Sequence, residues 1–246
     1  MRSIESSFGV RSSGVSASRV FPFYVVCDVS RSMWDPDMNE GQPVTPLSVI
    51  EDSLPDMLTV LEEDPAVCDT AHLGIIAFGE TPETVLPLTP LAQDPTIPAL
   101  RRQGATNYAQ VFEYLNHQLH SDHQRFVSAN LGTYTPVVFF LTDGNPQVNL
   151  RPQPDSEWLP PHEGLSSPRH PFGPVIVALG IGGVSVDTVR KLRSTNPRGV
   201  ACVAEGSVIP GDLLRAIINS IRFSISSSVG HGDFQFNTPA GMRRLD

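Results

Sequence analysis

The stretch Val25–Met33, VVCDVSRSM, closes an apolar run and then presents one carboxylate and two hydroxyls on alternate residues: Asp28, Ser30 and Ser32. The run behind it, VFPFYVVCD from Val20 to Asp28, is continuous in Val and Phe, as strands buried on both faces are. AHLGIIAFG (71–79), PVVFFLTD (136–143), PVIVALGIG (174–182) and GVACVAE (199–205) have the same character. ETVLPLTPL (83–91) is strand-like but interrupted by proline, which suits an edge strand joined by a hairpin.

Strands buried on two faces need covering on both. Leu47, Ile50, Leu54, Met57, Leu58 and Leu61 recur at helical spacing after Thr45-Pro46, a cap followed by a first-turn proline. Pro55 inside that pattern removes a hydrogen bond and is expected to bend or split the helix. Val111, Phe112, Leu115 and Leu119 mark a second helix, and Val184, Val189 and Leu192 a short third. Leu213, Leu214, Ile217, Ile218, Ile221 and Ile225 mark a last one. Alternating strands and helices predict a doubly wound α/β fold: a Rossmann-like, mostly parallel sheet, helices on both faces and an antiparallel edge strand. Ligands of such folds gather at the carboxyl ends of the strands.

Residues 1–19 are rich in Ser, Gly and Arg without periodicity and read as a flexible N-terminal segment; 229–246 read as a polar C-terminal tail. Between them, 20–228 form one domain. Within it 144–172 are Pro-rich and aperiodic, an extended surface loop with Trp158 and Leu159 as its anchor. That loop stands where another covering helix would fit, so one sheet face is expected to be partly open to a partner.

Composition excludes several classes. A formal charge of -9 with 17 Lys and Arg is a poor footprint for nucleic acid, which needs clustered positive charge. No apolar run reaches the roughly eighteen residues of a membrane span, and the opening lacks the apolar block of a signal peptide, so the expected location is cytoplasmic. Cys27, Cys68 and Cys202 are odd in number and lie in or beside apolar segments, so core thiols are expected, not disulfides.

The chemistry gathers at the strand ends. Asp28, Ser30 and Ser32 follow the first strand; Asp143 ends PVVFFLTD on the same rim; Thr106, in GATN before the second helix, supplies a loop hydroxyl. Two carboxylates and three hydroxyls make an oxygen-only donor set. It disfavours zinc and suits Mg2+ or Mn2+ better than Ca2+, which takes more ligands. A shell with an open position would accept a carboxylate from outside.

Asp28-x-Ser30-x-Ser32, then Thr106, then Asp143 in LTDG resembles the metal-ion-dependent adhesion site of von Willebrand factor type A domains, with all five family positions filled over roughly residues 20–228. FPFYVVCDVSRSM, AHLGIIAFG with ETVLPLTPL, GATNYAQVF and LTDGNP resemble most the small bacterial proteins of tellurite-resistance and stress clusters. The resemblance implies a Mg2+-dependent protein-binding module. Its metal would be held by Asp28, Ser30, Ser32, Thr106 and Asp143 and completed by a partner's Asp or Glu. It also implies a Ser/Thr kinase and a metal-dependent protein phosphatase as partners. Two departures stand out. Arg31 replaces the glycine of many relatives and brings a cation beside the ion unless it swings outward or receives an acidic partner. The loop after Met33 adds Asp35, Asp37 and Glu40, which would supplement the ion or repel acidic ligands.

Other features carry blander readings. His117, His120 and His123 step around a helix and read as a solvated face. His72 reads as a hydrogen-bonded strand-end residue. ALGIGG (178–183) lacks the last glycine of a dinucleotide fingerprint, Ser185 standing there, and reads as a tight turn. The enzyme alternative is a Mg2+-dependent phosphohydrolase, but Ser and Thr ligands supply no general base.

Overall fold

The computed structural model describes residues 19–35, 44–167, 169–205 and 210–245. Strand β1 (Arg19–Asp28) pairs in parallel with β2 (Ala71–Phe78) on one side. On the other it pairs in parallel with β5 (Val137–Thr142) and, at its start, with the short β4 (Gly132–Thr133). The sheet continues in parallel from β5 to β8 (Val175–Gly180) and β9 (Val200–Ala204). Strand β3 (Glu83–Pro90) closes the β2 edge antiparallel. With the C-terminal strand β10 (Met242–Leu245) beside β9, the order is β10-β9-β8-β5-β1-β2-β3, so the chain leaves β1 toward β2 and returns to β1's other side at β5. That reversal opens a crevice at the carboxyl ends of β1 and β5.

Alternation along β1 divides the core. Phe21, Phe23, Val25 and Cys27 face a layer of four helices: α1 (Arg31–Trp34), α2 (Pro46–Glu62), α3 (Pro65–Thr70) and α7 (Pro210–His231). Tyr24 and Val26 face α4 (Tyr108–Ser128), α5 (Asp155–Ser166) and α6 (Val186–Leu192). Thr45 caps α2 as expected, in a capping box with Ser48. Pro55 does not split that helix: it sits exposed on the solvent side, while Leu47, Ile50, Leu54, Met57, Leu58 and Leu61 hold one buried stripe across it. The three thiols are free, Cys27 and Cys202 within the core.

Two sequence expectations are overturned. The segment 144–172 is not an extended loop. It contains the hairpin β6 (Gln147–Val148) and β7 (Arg151–Pro152), then helix α5. Trp158 is fully buried, as its anchor reading required, and Trp158, His162, Leu165 and Ser166 form a buried face at i, i+4, i+7 and i+8. Burying roughly 150–250 Å2 of Trp at about 25 cal/mol per Å2 contributes ~4–6 kcal/mol, which opposes a cost of about 3 kcal/mol for each of Pro160 and Pro161, the rest of the buried face supplying the remainder. The sheet face expected to be partly open is therefore covered by α5.

The C-terminal residues are likewise not a loose tail. Helix α7 runs to His231, and β10 (Met242–Leu245) adds a second antiparallel edge on β9. Met242 plugs one core layer and Leu245 the other. Of the segment 1–19, all but Arg19 lies outside the described residues, as do Asp37 and Glu40.

Candidate functional site

Asp28 ends β1 fully buried, and each of its carboxylate oxygens is held. The backbone N–H of Ser30 donates to Oδ1 at 2.9 Å, turning the chain out of the strand. The hydroxyl of Thr142, at the end of β5, donates to Oδ2 at 2.7 Å. Ser30 stands at the N-cap of α1 without using its side chain as a cap, so its hydroxyl stays at the site, 3.4 Å from the Ser32 hydroxyl. Ser32 donates to Oδ1 of Asp143 at 2.7 Å, joining two segments 111 residues apart.

Thr106 arrives from a third direction. Its N–H donates to the Gln147 carbonyl at 3.0 Å and its carbonyl accepts from Gln147 N–H at 2.8 Å, an antiparallel bridge onto β6. The cap of α4 is Asn107, whose side chain accepts from Gln110 N–H, so the Thr106 hydroxyl is not spent on capping. A Cβ built on Gly144 would lie 3.4 Å from Thr106 Oγ1 and 3.9 Å from Ser32 Oγ, so those hydroxyls bracket the turn after Asp143. All five residues singled out in the sequence are thus gathered on the rim between β1 and β5. Ser30, Thr106 and Asp143 are buried and Ser32 half-buried.

Several positioning residues were not singled out. Thr142 fixes Asp28; Tyr108, 2.8 Å from the Gly144 carbonyl and 3.0 Å from Thr142 Oγ1, supports the turn. Gln153, buried, accepts from the N–H groups of Tyr108 and Ala109 at the start of α4 and donates to Asn107 Oδ1, locking the Thr106 segment to the β6–β7 hairpin. Thr142 had a readable signal, a hydroxyl closing an otherwise apolar strand; Gln153 had none. Gly182, at φ +59, brings its backbone against Asp143, where a built Cβ would stand 3.3 Å from Asp143 Cβ. The glycines of ALGIGG therefore serve a turn at this site.

Arg31 turns away: its Nε donates to Asp35 Oδ2 at 2.6 Å and its side chain is 61% exposed. Asp35 is thereby occupied with Arg31. Among the described residues no cationic side chain pairs with Asp28 or Asp143. Burial, and then the neighbouring Asp143 charge, hold the Asp28 carboxyl above the usual range despite the Ser30 and Thr142 hydrogen bonds. Burial does the same to Asp143, with the Ser32 hydroxyl opposing. Two buried carboxylates without a counter-cation among the described residues, ringed by hydroxyl oxygens, fit a hard cation. Among the described residues no three His, Cys, Asp or Glu side chains converge, so the hydroxyls must be part of any such donor set.

The histidines on α4 are not simply a solvated face. His117 is exposed, but His120 packs edge-on against His170 and Phe172, and His123 against Phe172. Among the described residues no helix is long and apolar enough to cross a membrane.

The model of the von Willebrand factor type A domain matches residues 23–145, half of the chain and the span holding all five rim residues. Comparison with curated proteins gives no match. Among solved structures, proximal thread matrix protein 1 from mussel byssus with a zinc-occupied metal-ion-dependent adhesion site superposes with a TM-score of 0.54 at 15% identity, covering 85% of this chain and 48% of that one. The protein BatB from Bacteroides thetaiotaomicron gives 0.53 at 12% identity over 86% of this chain and 99% of that one. A von Willebrand factor type A protein from Catenulispora acidiphila gives 0.52 at 13% identity, over 84% and 43%. This chain thus spans about half the length of the mussel protein, and at these identities the likeness is one of fold.

Proposed function

The chain belongs to the von Willebrand factor type A domain family, whose members bind a divalent metal at the adhesion site and mediate contacts between proteins, and on that premise we propose that it is a metal-dependent protein-binding module. The carrying observation is the 2.7 Å hydrogen bond from Ser32 to Asp143, which closes Asp28, Ser30, Ser32 and Asp143 into one pocket with Thr106 beside it. Asp28, Ser30, Ser32, Thr106 and Asp143 would hold the ion, with Mg2+ the best match to an oxygen-only set rich in neutral hydroxyls. When bound, the ion supplies positive charge that offsets the two buried carboxylates and attracts a carboxylate from a partner Asp or Glu.

The chain's own residues prepare that event. Thr142 and the Ser30 N–H orient Asp28, Ser32 orients Asp143, and Gln147 holds the backbone of Thr106. Arg31, directed outward onto Asp35, leaves the pocket clear and stands where an acidic segment would approach. The zinc-occupied site of the structurally similar mussel protein supports metal binding at this place in the fold. The resemblance of the strand-end motifs to stress-cluster proteins supports a cytoplasmic signalling adaptor in a bacterial tellurite-resistance or stress system, with a Ser/Thr kinase and a metal-dependent phosphatase as partners.

The test is calorimetric titration with Mg2+, with Mn2+ and Ca2+ in parallel, on the wild type and Asp143→Ala. Saturable binding in the wild type and its loss in the variant are expected, with no turnover of phosphate monoesters. Absence of binding in the wild type refutes the proposal. Neighbouring genes for a kinase and a phosphatase whose products bind the chain in Mg2+ but not in chelator would carry the signalling setting.

A further inference from the structure

Beside the rim lies a cleft of about 660 Å3, within the roughly 300–1,000 Å3 typical of ligand sites. It is lined by Arg31, which stands between Ser30 and Ser32, by Glu80, by Ala105 and by Gln147, the bridge partner of Thr106, and by the tip of the β6–β7 hairpin with Leu150. A segment delivering a carboxylate to the rim would therefore lay its neighbouring residues here.

The hairpin tip is unusual. Val148 pairs with Arg151, leaving Asn149 and Leu150 as a two-residue turn, and both have positive φ, +50 and +61. This is the turn for which Asn-Gly is the favoured pair, because both positions lie in the left-handed region. Asn149 suits it; Leu150 does not, since its Cβ is crowded there. Leu150 is also 90% exposed, so no packing within the described residues compensates its strain. Backbone strain that the surrounding packing does not offset, at the lip of a cleft beside the rim, is an outlier from which a functional role is inferred.

Resting on the metal-binding reading above, we propose that Leu150 reads the sequence around the coordinating carboxylate. The occupant is an extended segment of a partner protein whose Asp or Glu goes to the rim and whose apolar side chain, at a fixed offset, packs on Leu150. Arg31, paired with Asp35, and the exposed Glu80 carboxylate in the same cleft offset each other, so the segment's acidic character is needed only at the coordinating residue.

Phage-displayed peptides with one fixed Asp, panned in Mg2+ against the wild type, Leu150→Gly, Leu150→Asn and Asp143→Ala, test this. The wild type is expected to enrich Leu, Ile, Met or Phe at one offset from the Asp. Leu150→Gly and Leu150→Asn keep the Mg2+-dependent capture of Asp but lose that positional preference. Both bind the selected wild-type peptide about tenfold or more weakly, as losing one buried aliphatic contact requires. Asp143→Ala captures nothing. Both Leu150 variants should melt no lower than the wild type, since they relieve strain. Retained Mg2+-dependent Asp capture with no fixed apolar position, or Leu150→Gly binding the selected peptide within about twofold of wild type, overturns this inference alone. Capture by the wild type that is indifferent to chelator overturns the metal-binding reading and this one with it.

Discussion

Replacing Asp28 by Asn should raise the stability of the metal-free protein and abolish its response to metal, two effects of opposite practical sign from one atom. In chelator near pH 8 the wild type buries two carboxylates, Asp28 and Asp143, with hydrogen bonds but no cation among the described residues. Asn at position 28 keeps an acceptor for the Ser30 N–H. The Thr142 hydroxyl, which now donates to Asp28 Oδ2 at 2.7 Å, can turn its proton to the Gly144 carbonyl 3.2 Å away and accept from the new amide. One N–H of the new amide is thereby paired while one buried charge disappears, removing a penalty that the folded pKa of about 7 sets at about 4 kcal/mol at most, from which the unpaired second N–H subtracts. Taking about 2 kcal/mol, and ~2–4 °C per kcal/mol for a chain of this size, Tm should rise by about 4–8 °C.

The pH dependence identifies the cause. Asp28's folded pKa lies above its unfolded value of about 3.9, so the wild type is not penalised below that pH and loses stability as pH rises through the raised folded value. The advantage of Asp28→Asn should thus vanish near pH 4 and be full near pH 8. With Mg2+ about 100-fold above its Kd the wild type gains about 2.7 kcal/mol and the variant gains nothing, so their order inverts. Thermal melts followed by circular dichroism, in chelator and in Mg2+ across this pH range, measure all three quantities. A variant less stable than the wild type in chelator at pH 8, or an advantage independent of pH, would refute the reasoning.

Gln153→Ala should cost about 2 kcal/mol by stranding the first N–H groups of α4, read as a lower urea midpoint, and should weaken Mg2+ binding several-fold because the Thr106 segment keeps its Gln147 bridge but loses the side-chain tie behind it; unchanged Mg2+ affinity would break that link. His162, buried with Nε2 donating to the Leu192 carbonyl, has its pKa held down to about 4 by burial. Its contribution is complete above about 6.5 and is lost as pH falls toward 4, amounting to about 3 kcal/mol at most. His162→Gln should accordingly flatten the pH 7 to 4 stability curve, and an unaltered slope in urea titrations would count against it.

What the sequence made legible were features with a strong local signature. Continuous Val and Phe runs defined the buried strands, and hydroxyls and carboxylates set abruptly at their ends defined the rim, because polar atoms placed there need a reason. Helix α5 was hidden because its buried face includes His162 and Ser166 and its body carries two prolines, so neither apolar periodicity nor propensity announced it. Strand β10 was hidden because two apolar residues, Met242 and Leu245, suffice for a short edge strand that plugs both layers. The roles of Gln147, Gln153 and Leu150 follow from strand register and turn handedness, which single-residue chemistry does not reveal.

Register also explains why the site is rigid on one side and tethered on the other. In the ladder between β1 and β5, Cys27 pairs with Leu141, so Asp28 and Thr142 stand opposite each other, one step beyond the last paired residues. Adjacent strands are about 4.8 Å apart, which is what lets the Thr142 hydroxyl reach Asp28, and a one-residue slip would turn either side chain to the other face. Val25, Val26, Phe139 and Phe140, all fully buried, fix that register. Asp28 and Asp143 are therefore set by the core itself. Thr106 is held by two backbone hydrogen bonds to Gln147, with Gln153 behind them, while its neighbours Asn107 and Gln103 donate to the Gly79 and Val29 carbonyls at 2.8 and 2.9 Å, so its place depends on the hairpin that carries Leu150 as well as on the ends of β1 and β2. Displacing the hairpin would therefore pull on Thr106 through the Gln147 bridge and through Gln153, and the Gly79 and Val29 carbonyls would hold the segment to the strand ends against it.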